Sequence, residues 1–121
     1  MNTKWYEFYQ NNSGGSFRID ENAGIGVLVC IEATSAAHAN ARAEEIGIYF
    51  DGCAKGIDCS CCGDRWYTAR GEGDADFPSE YGKRLVRAER QAPEGFMTHR
   101  FAHPIDGPFF IVAPEQAPAL S

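Results

Sequence analysis

The sequence has no run of about 18 apolar residues, so no helical membrane span is expected. Its first residues, Met1-Asn2-Thr3-Lys4-Trp5-Tyr6-Glu7, lack an apolar h-region, and no secretory signal peptide is expected. Basic residues are scarce: 11 Lys and Arg against 17 Asp and Glu leave a net charge of −6. That balance excludes non-specific nucleic-acid binding, which needs a basic surface to displace counterions, and argues against an anionic membrane surface. An acidic protein can still hold an anion in a local pocket or offer itself to a basic partner. The five cysteines are an odd number. Without a secretory signal, reduced thiols or a metal fit them better than a disulfide framework, which places the protein in a cytoplasm. No nucleophile signature such as Cys-Gly-x-Cys-Trp and no internal repeat is present.

At 121 residues, 44% hydrophobic and 23% charged, the chain fits one soluble globular domain over 1–113, with a Pro- and Ala-rich flexible tail over 114–121. Lys4–Gln10 is aromatic-rich and reads as a strand. Asn11–Ser16 is a turn signal, Phe17-Arg18-Ile19-Asp20 alternates, and Asn22-Ala23-Gly24 turns again. Gly26–Glu32 is a nearly continuous apolar run suited to a central strand, with Cys30 as a small core residue.

Thr34-Ser35 offers an N-cap, and Ala36, Ala39, Ala43 and Ile46 recur at helical spacing before Gly47. The spacing predicts a helix over about 35–46, close against the sheet because its stripe is mostly alanine, with His38 facing solvent. Ile48-Tyr49-Phe50 and Arg65–Arg70 read as strands flanking a cysteine loop, and Gly71–Glu80 as an acidic surface connection. Lys83–Arg90 is basic and suits an exposed edge element. After a turn at Ala92–Gly95, Phe96–His103 and Phe109–Val112 form a hairpin about Pro104–Pro108. The fold class is α+β: an antiparallel sheet with one principal helix on one face and a Cys-rich loop at 51–64.

Four cysteines, Cys53, Cys59, Cys61 and Cys62, crowd that loop with Gly52, Gly56 and Gly63, which let the backbone turn the sulfurs inward. Thiolates bind zinc tetrahedrally at about 2.3 Å, so zinc is the implied metal. Successive spacings of Cys-x5-Cys, Cys-x-Cys and Cys-Cys depart from the usual knuckle, so three cysteines with one distant ligand compete with all four. His99 and His103, about 13 Å apart on a strand at about 3.3 Å per residue, cannot both serve one site. Two other readings stand beside the metal. The thiols could simply pack a turn against Trp66 and Tyr67, or one could be nucleophilic. Lys55 and Arg65 would lower a thiol pKa, but Asp51, Asp58 and Asp64 would raise it. Asp64, Arg65, Trp66 and Tyr67 carry ligand-binding chemistry: Arg65 can grip a phosphate or carboxylate, Trp66 and Tyr67 can stack, and Asp64 can accept hydrogen bonds. In the competing reading Trp66 is core and Arg65 pairs with Asp64 or Asp58.

Several stretches resemble a small protein family encoded by tailed bacteriophages: Lys4–Phe8, Asn11–Phe17, Ile31-Glu32-Ala33, Ala39–Gly47, Tyr49–Cys53 and above all Asp58-Cys59-Ser60-Cys61-Cys62-Gly63-Asp64-Arg65-Trp66. The resemblance covers about the first half of the chain and carries no activity. It implies a phage accessory protein in the host bacterial cytoplasm. By analogy with other phage accessory proteins, the expected function is a non-enzymatic binding module. It would block a host protein or sequester a small anionic, nucleotide-like defence signal. A thiol- or metal-dependent enzyme acting on a nucleotide or host protein, and a minor virion component, are the alternatives. Oligomeric state is left open, a homo-oligomer included.

Overall fold

The sheet is built on two strands whose side chains divide between two cores. A computed structural model describes residues 2–11, 17–71, 75–90 and 99–114. In β1 (Lys4–Tyr9) the two-residue period sends Tyr6 and Phe8 to one face and Trp5 and Tyr9 to the other. Strand β2 (Leu28–Ala33) pairs antiparallel with β1 and does the same: Val29, Ile31 and Ala33 join Tyr6 and Phe8, while Leu28 and Cys30 join Trp5. Both faces of β2 are covered, which is why Leu28–Ala33 is an apolar run, interrupted only at the half-buried Glu32. Cys30 is fully buried, a core residue as its sequence context predicts.

Helix α1 (Ala36–Ile46) covers the first face. The Ser35 side chain accepts from the His38 amide at 3.0 Å and caps the start. Gly47, at φ 114°, ends it; the Gly47 amide donates to Glu44 O and the Ile48 amide to Ala43 O, the paired bonds of a Schellman close. Ala39 and Ala43 are fully buried, and their small side chains let the helix lie close on Val29 and Ile31. The Arg42 guanidinium donates to Glu32 O, to His103 O at 3.3 Å and to Pro104 O at 3.0 Å, fastening the helix to the ends of two neighbouring strands. His38 is half-buried rather than facing solvent freely; its Nδ1 accepts from the Thr34 amide at 3.1 Å.

The remaining strands are β3 (Ser79–Glu80), β4 (Lys83–Arg87), β5 (Arg100–His103) and β6 (Phe110–Pro114), in the sheet order β1-β2-β5-β6-β4-β3. The expected purely antiparallel sheet is corrected: β2 and β5 run parallel. A parallel pair needs a long crossover, and here everything from Thr34 to His99 serves as one. The expected hairpin of β5 and β6 is present, with Phe101 opposite Ile111. The sheet curls until its ends meet. The Trp5 amide donates to Ala75 O at 2.8 Å, Ser79 Oγ donates to Glu7 at 2.9 Å, and the Tyr81 amide donates to Glu7 at 3.1 Å. The result is barrel-like, with Trp5, Leu28, Cys30, Leu85, Ala102 and Val112 filling the concave side.

Three local expectations are corrected. Ile48–Phe50 is not a strand; the Ile48 amide closes the helix, and Ile48 and Phe50 drop into the helix-side core. Arg65–Arg70 is not a strand either, because side chains take its backbone groups. Ala69 exchanges two bonds with the Asn40 amide group, at 2.7 and 3.2 Å, and the Arg65 amide donates to Asp58. Strand β4 is mostly exposed, but it lies between β6 and β3 rather than at an edge. Residues 12–16 of the first turn, 72–74 of the acidic connection, the turn at Ala92–Gly95, Phe96–Thr98 and the tail from 115 lie outside the described residues. Among the described residues, no helix is long and apolar enough to cross a membrane.

His103 offers a test of this packing. It is buried, its Nε2 meets Gly24 O at 2.8 Å, and its ring lies 5.2 Å from Phe109. Burial, opposed by the Gly24 bond and helped by the Arg42 charge, lowers its pKa. The unfolded chain therefore binds a proton first as pH falls below about 6.5, and stability present above that pH is lost on acidification toward the folded pKa. Unfolding followed from pH 7 to 5 should lose up to about 1.4 kcal/mol per pH unit from this residue, a slope that His103→Gln flattens.

Candidate metal centre

The cysteine loop is assembled around one carboxylate. The Asp58 side chain is fully buried: Oδ1 accepts from Tyr49 OH at 2.7 Å, and Oδ2 accepts from the Arg65 amide at 2.7 Å. The Asp58 and Ile57 amides donate to Gly52 O at 3.0 and 2.8 Å, closing the first half of the loop. Gly52 has no alternative, since a Cβ there would lie 1.8 Å from Asp58 Oδ2. Asp64 plays the matching part in the second half, with Oδ1 accepting from the Cys53 amide at 2.9 Å. Asn11 ties the loop to the sheet, donating from Nδ2 to Cys62 O at 2.9 Å and Asp64 O at 3.1 Å.

On this base Cys59, Cys61 and Cys62 converge, their sulfurs all within 4.8 Å of one another. Cys59 and Cys61 stand 2.8 Å apart, Cys61 and Cys62 3.9 Å. The Cys62 amide donates to Cys59 O at 3.1 Å, so residues 59–62 form a turn. Cys59 and Cys62 are thus a Cys-x-x-Cys pair with Cys61 inside it, a pattern hidden when only successive spacings are compared. Cys59 is half-buried, while Cys61 and Cys62 are exposed. Hydrogen bonding from Cys61 lowers the Cys59 thiol to about 7, and the same contact raises Cys61 to about 11. Three thiols this close can hold a metal ion.

The fourth expected ligand, Cys53, does not join them. Its sulfur donates to Cys59 O at 3.4 Å, and burial, then Asp64, raise it to about 11. It works as part of the base. The histidines are engaged elsewhere: His99 pairs with Glu21 at 3.3 Å, His103 with Gly24, and His38 with Thr34.

The four residues expected to bind a ligand separate in the structure. Trp66 is buried among Ile25, Phe50 and the other residues of the helix-side core. Arg65 is buried too: Nη1 donates to Gln10 at 2.8 Å, Nε donates to Tyr49 OH at 3.2 Å, and Asp58 lies 3.8 Å away. Asp64 turns inward to the Cys53 amide. Only Tyr67 is presented, 59% exposed with its hydroxyl beside Gly63. Arg65 and Trp66 do share a cavity with Arg18, Asp20 and Tyr49, but it measures about 200 Å³. Pockets for drug-sized ligands run from about 300 to 1,000 Å³. Ile57 was missed by sequence reasoning; it is 46% exposed on the same loop, and the available signal was an aliphatic residue placed between Gly56 and Asp58.

The base and the cluster give separate tests. Asp58→Ala should cost about 3–5 kcal/mol in chemical denaturation, because it takes a fully buried carboxylate from beside the buried Arg65 guanidinium and leaves the Tyr49 hydroxyl and the Arg65 amide without their acceptor. After incubation with zinc, Cys59→Ser, Cys61→Ser and Cys62→Ser should each retain less metal than the unaltered chain by elemental analysis and show a smaller metal-dependent rise in melting temperature, whereas Cys53→Ser should match the unaltered chain.

Residues 3–110 match the model of a family described as a domain of unknown function, DUF7296. No curated protein and no solved structure matches.

Proposed function

We propose that this chain, which belongs to the DUF7296 family, is a non-enzymatic binding module that engages a protein partner through its cysteine loop. The observation that carries this reading is the contrast between base and tip. Below, Asp58, Asp64, Arg65 and Asn11 lock the loop by hydrogen bonds. Above, Cys61, Cys62, Ile57 and Tyr67 face solvent. A surface held rigid before binding loses little conformational entropy when a partner docks, and aromatic and aliphatic anchors are what interfaces use.

A metal, zinc by the chemistry of the donors, would clip the tip in the same conformation. A protein partner is preferred to a nucleotide-like ligand because the Arg65 guanidinium already serves Gln10 and Tyr49, and the cavity beside it is small. A thiol enzyme is disfavoured by the same geometry, since the histidines that could act as base are bonded to other groups. The sequence resemblance to phage-encoded proteins makes a bacterial host factor the target, met in the host cytoplasm, and blocking that factor the outcome.

Affinity capture from a bacterial lysate, with small molecules retained for mass spectrometry, tests the proposal. The wild-type chain should enrich one host protein stoichiometrically. The double variant Ile57→Glu, Tyr67→Ala should lose it while keeping its fold by circular dichroism. Enrichment of a nucleotide without a protein, or capture unaffected by the double variant, would overturn it.

A further inference from the structure

The three-sulfur cluster is one donor short of the four that zinc takes in closed structural sites. Among the described residues none completes it. The loop carboxylates nearest in sequence face the other way: Asp58 is bonded to Tyr49 OH and the Arg65 amide, and Asp64 to the Cys53 amide. Cys53 donates to the Cys59 carbonyl. Cys59 is the inner ligand, half-buried against the base, while Cys61 and Cys62 stand exposed at the rim. An ion held by these sulfurs would sit between one half-buried thiol and two exposed ones.

We propose that the Cys59, Cys61 and Cys62 thiolates bind a zinc ion whose fourth position stays exchangeable, held by water in the free protein and by a histidine imidazole of the partner in the complex. This inference rests on the metal-clipped binding module described above. Three thiolates on a divalent cation already leave one net negative charge, beside a stretch in which Asp51, Asp58 and Asp64 outnumber Lys55 and Arg65, on a chain of net charge −6. A fourth thiolate or a carboxylate would add a second negative charge there, and a neutral imidazole adds none. Three cysteines and one histidine are also an established zinc donor set. The thiol protons are released to solvent as the metal binds, and the imidazole displaces one water, so no oxidant or other reactant is needed.

The test uses the full chain loaded with cobalt(II) in place of zinc and read by absorption spectroscopy. Expected is sulfur-to-cobalt charge-transfer intensity that stays constant while added imidazole shifts the visible ligand-field bands saturably. Ethanethiol should shift them only at higher concentration, and Cys53→Ser should leave the spectrum unchanged. A cobalt spectrum indifferent to imidazole, with charge-transfer intensity that drops in Cys53→Ser, would mean a closed four-thiolate site and would overturn the open position while leaving the metal clip intact. Tighter binding of ethanethiol than of imidazole would overturn the choice of donor. Failure of the wild-type chain to bind either cobalt or zinc would remove the metal clip and this inference together. The imidazole titration needs no variant, so the inference stays testable even if Cys53→Ser fails to fold.

Discussion

The buried Asp58 carboxylate is the interaction on which the conformation of the cysteine loop depends. It lies within a loop of glycines, thiols and carboxylates that has little apolar surface with which to fold itself. Its two oxygens collect the Tyr49 hydroxyl and the Arg65 amide, with the Arg65 guanidinium nearby. Those partners reach in turn to Gln10 at the end of β1, and Gln10 spans Arg18 and Gly26. One carboxylate thus joins Asn11, which donates to the Cys62 and Asp64 carbonyls, in fixing the loop to the sheet. A buried charge pair of this kind adds little net stability against an apolar replacement, and its use here is to specify one loop conformation.

The two cores explain why that anchorage is available. The helix-side core takes Trp66, Phe50 and Ile48 from the chain entering and leaving the loop, so both ends of the loop are anchored in apolar packing. Burying such a side chain is worth about 1.5–3 kcal/mol. The concave core, closed by the curl that brings Ala75, Ser79 and Tyr81 against β1, supports β2 from behind. The cysteine tip is the part of the loop that neither core covers. There the sulfurs of Cys59, Cys61 and Cys62 lie close to one another, with Cys61 and Cys62 exposed.

Much of this was legible in the chain itself. The apolar run at 26–32 marked a central strand, and Ser35 and Gly47 bounded the helix to within a residue. In each case the cause is local: a period of two, a hydroxyl that caps, a residue without a Cβ. The crowding of thiols at 53–62 likewise marked where three sulfurs converge, because the glycines among them let the backbone turn. What could not be read were the partners of polar groups. Arg65–Arg70 has the composition of a strand, yet Asn40, twenty-nine residues earlier, takes the bonds that a neighbouring strand would have taken. Arg65 and Trp66 have the chemistry of a ligand grip, yet their side chains point inward, and nothing in a strand's alternation says which face will be covered.

The sequence by itself determined that a helix lies on a β-rich sheet and that four cysteines are gathered in one bend, since propensity, capping and spacing act over a few residues. Only the tertiary structure decided that β2 and β5 run parallel, that the sheet closes on itself, and that Cys59, Cys61 and Cys62 converge while Cys53 turns to a carbonyl. Those outcomes depend on hydrogen bonds between residues far apart in the chain, such as Asn11 to Cys62 and Gln10 to Arg65, and such bonds exist only once packing has brought the segments together.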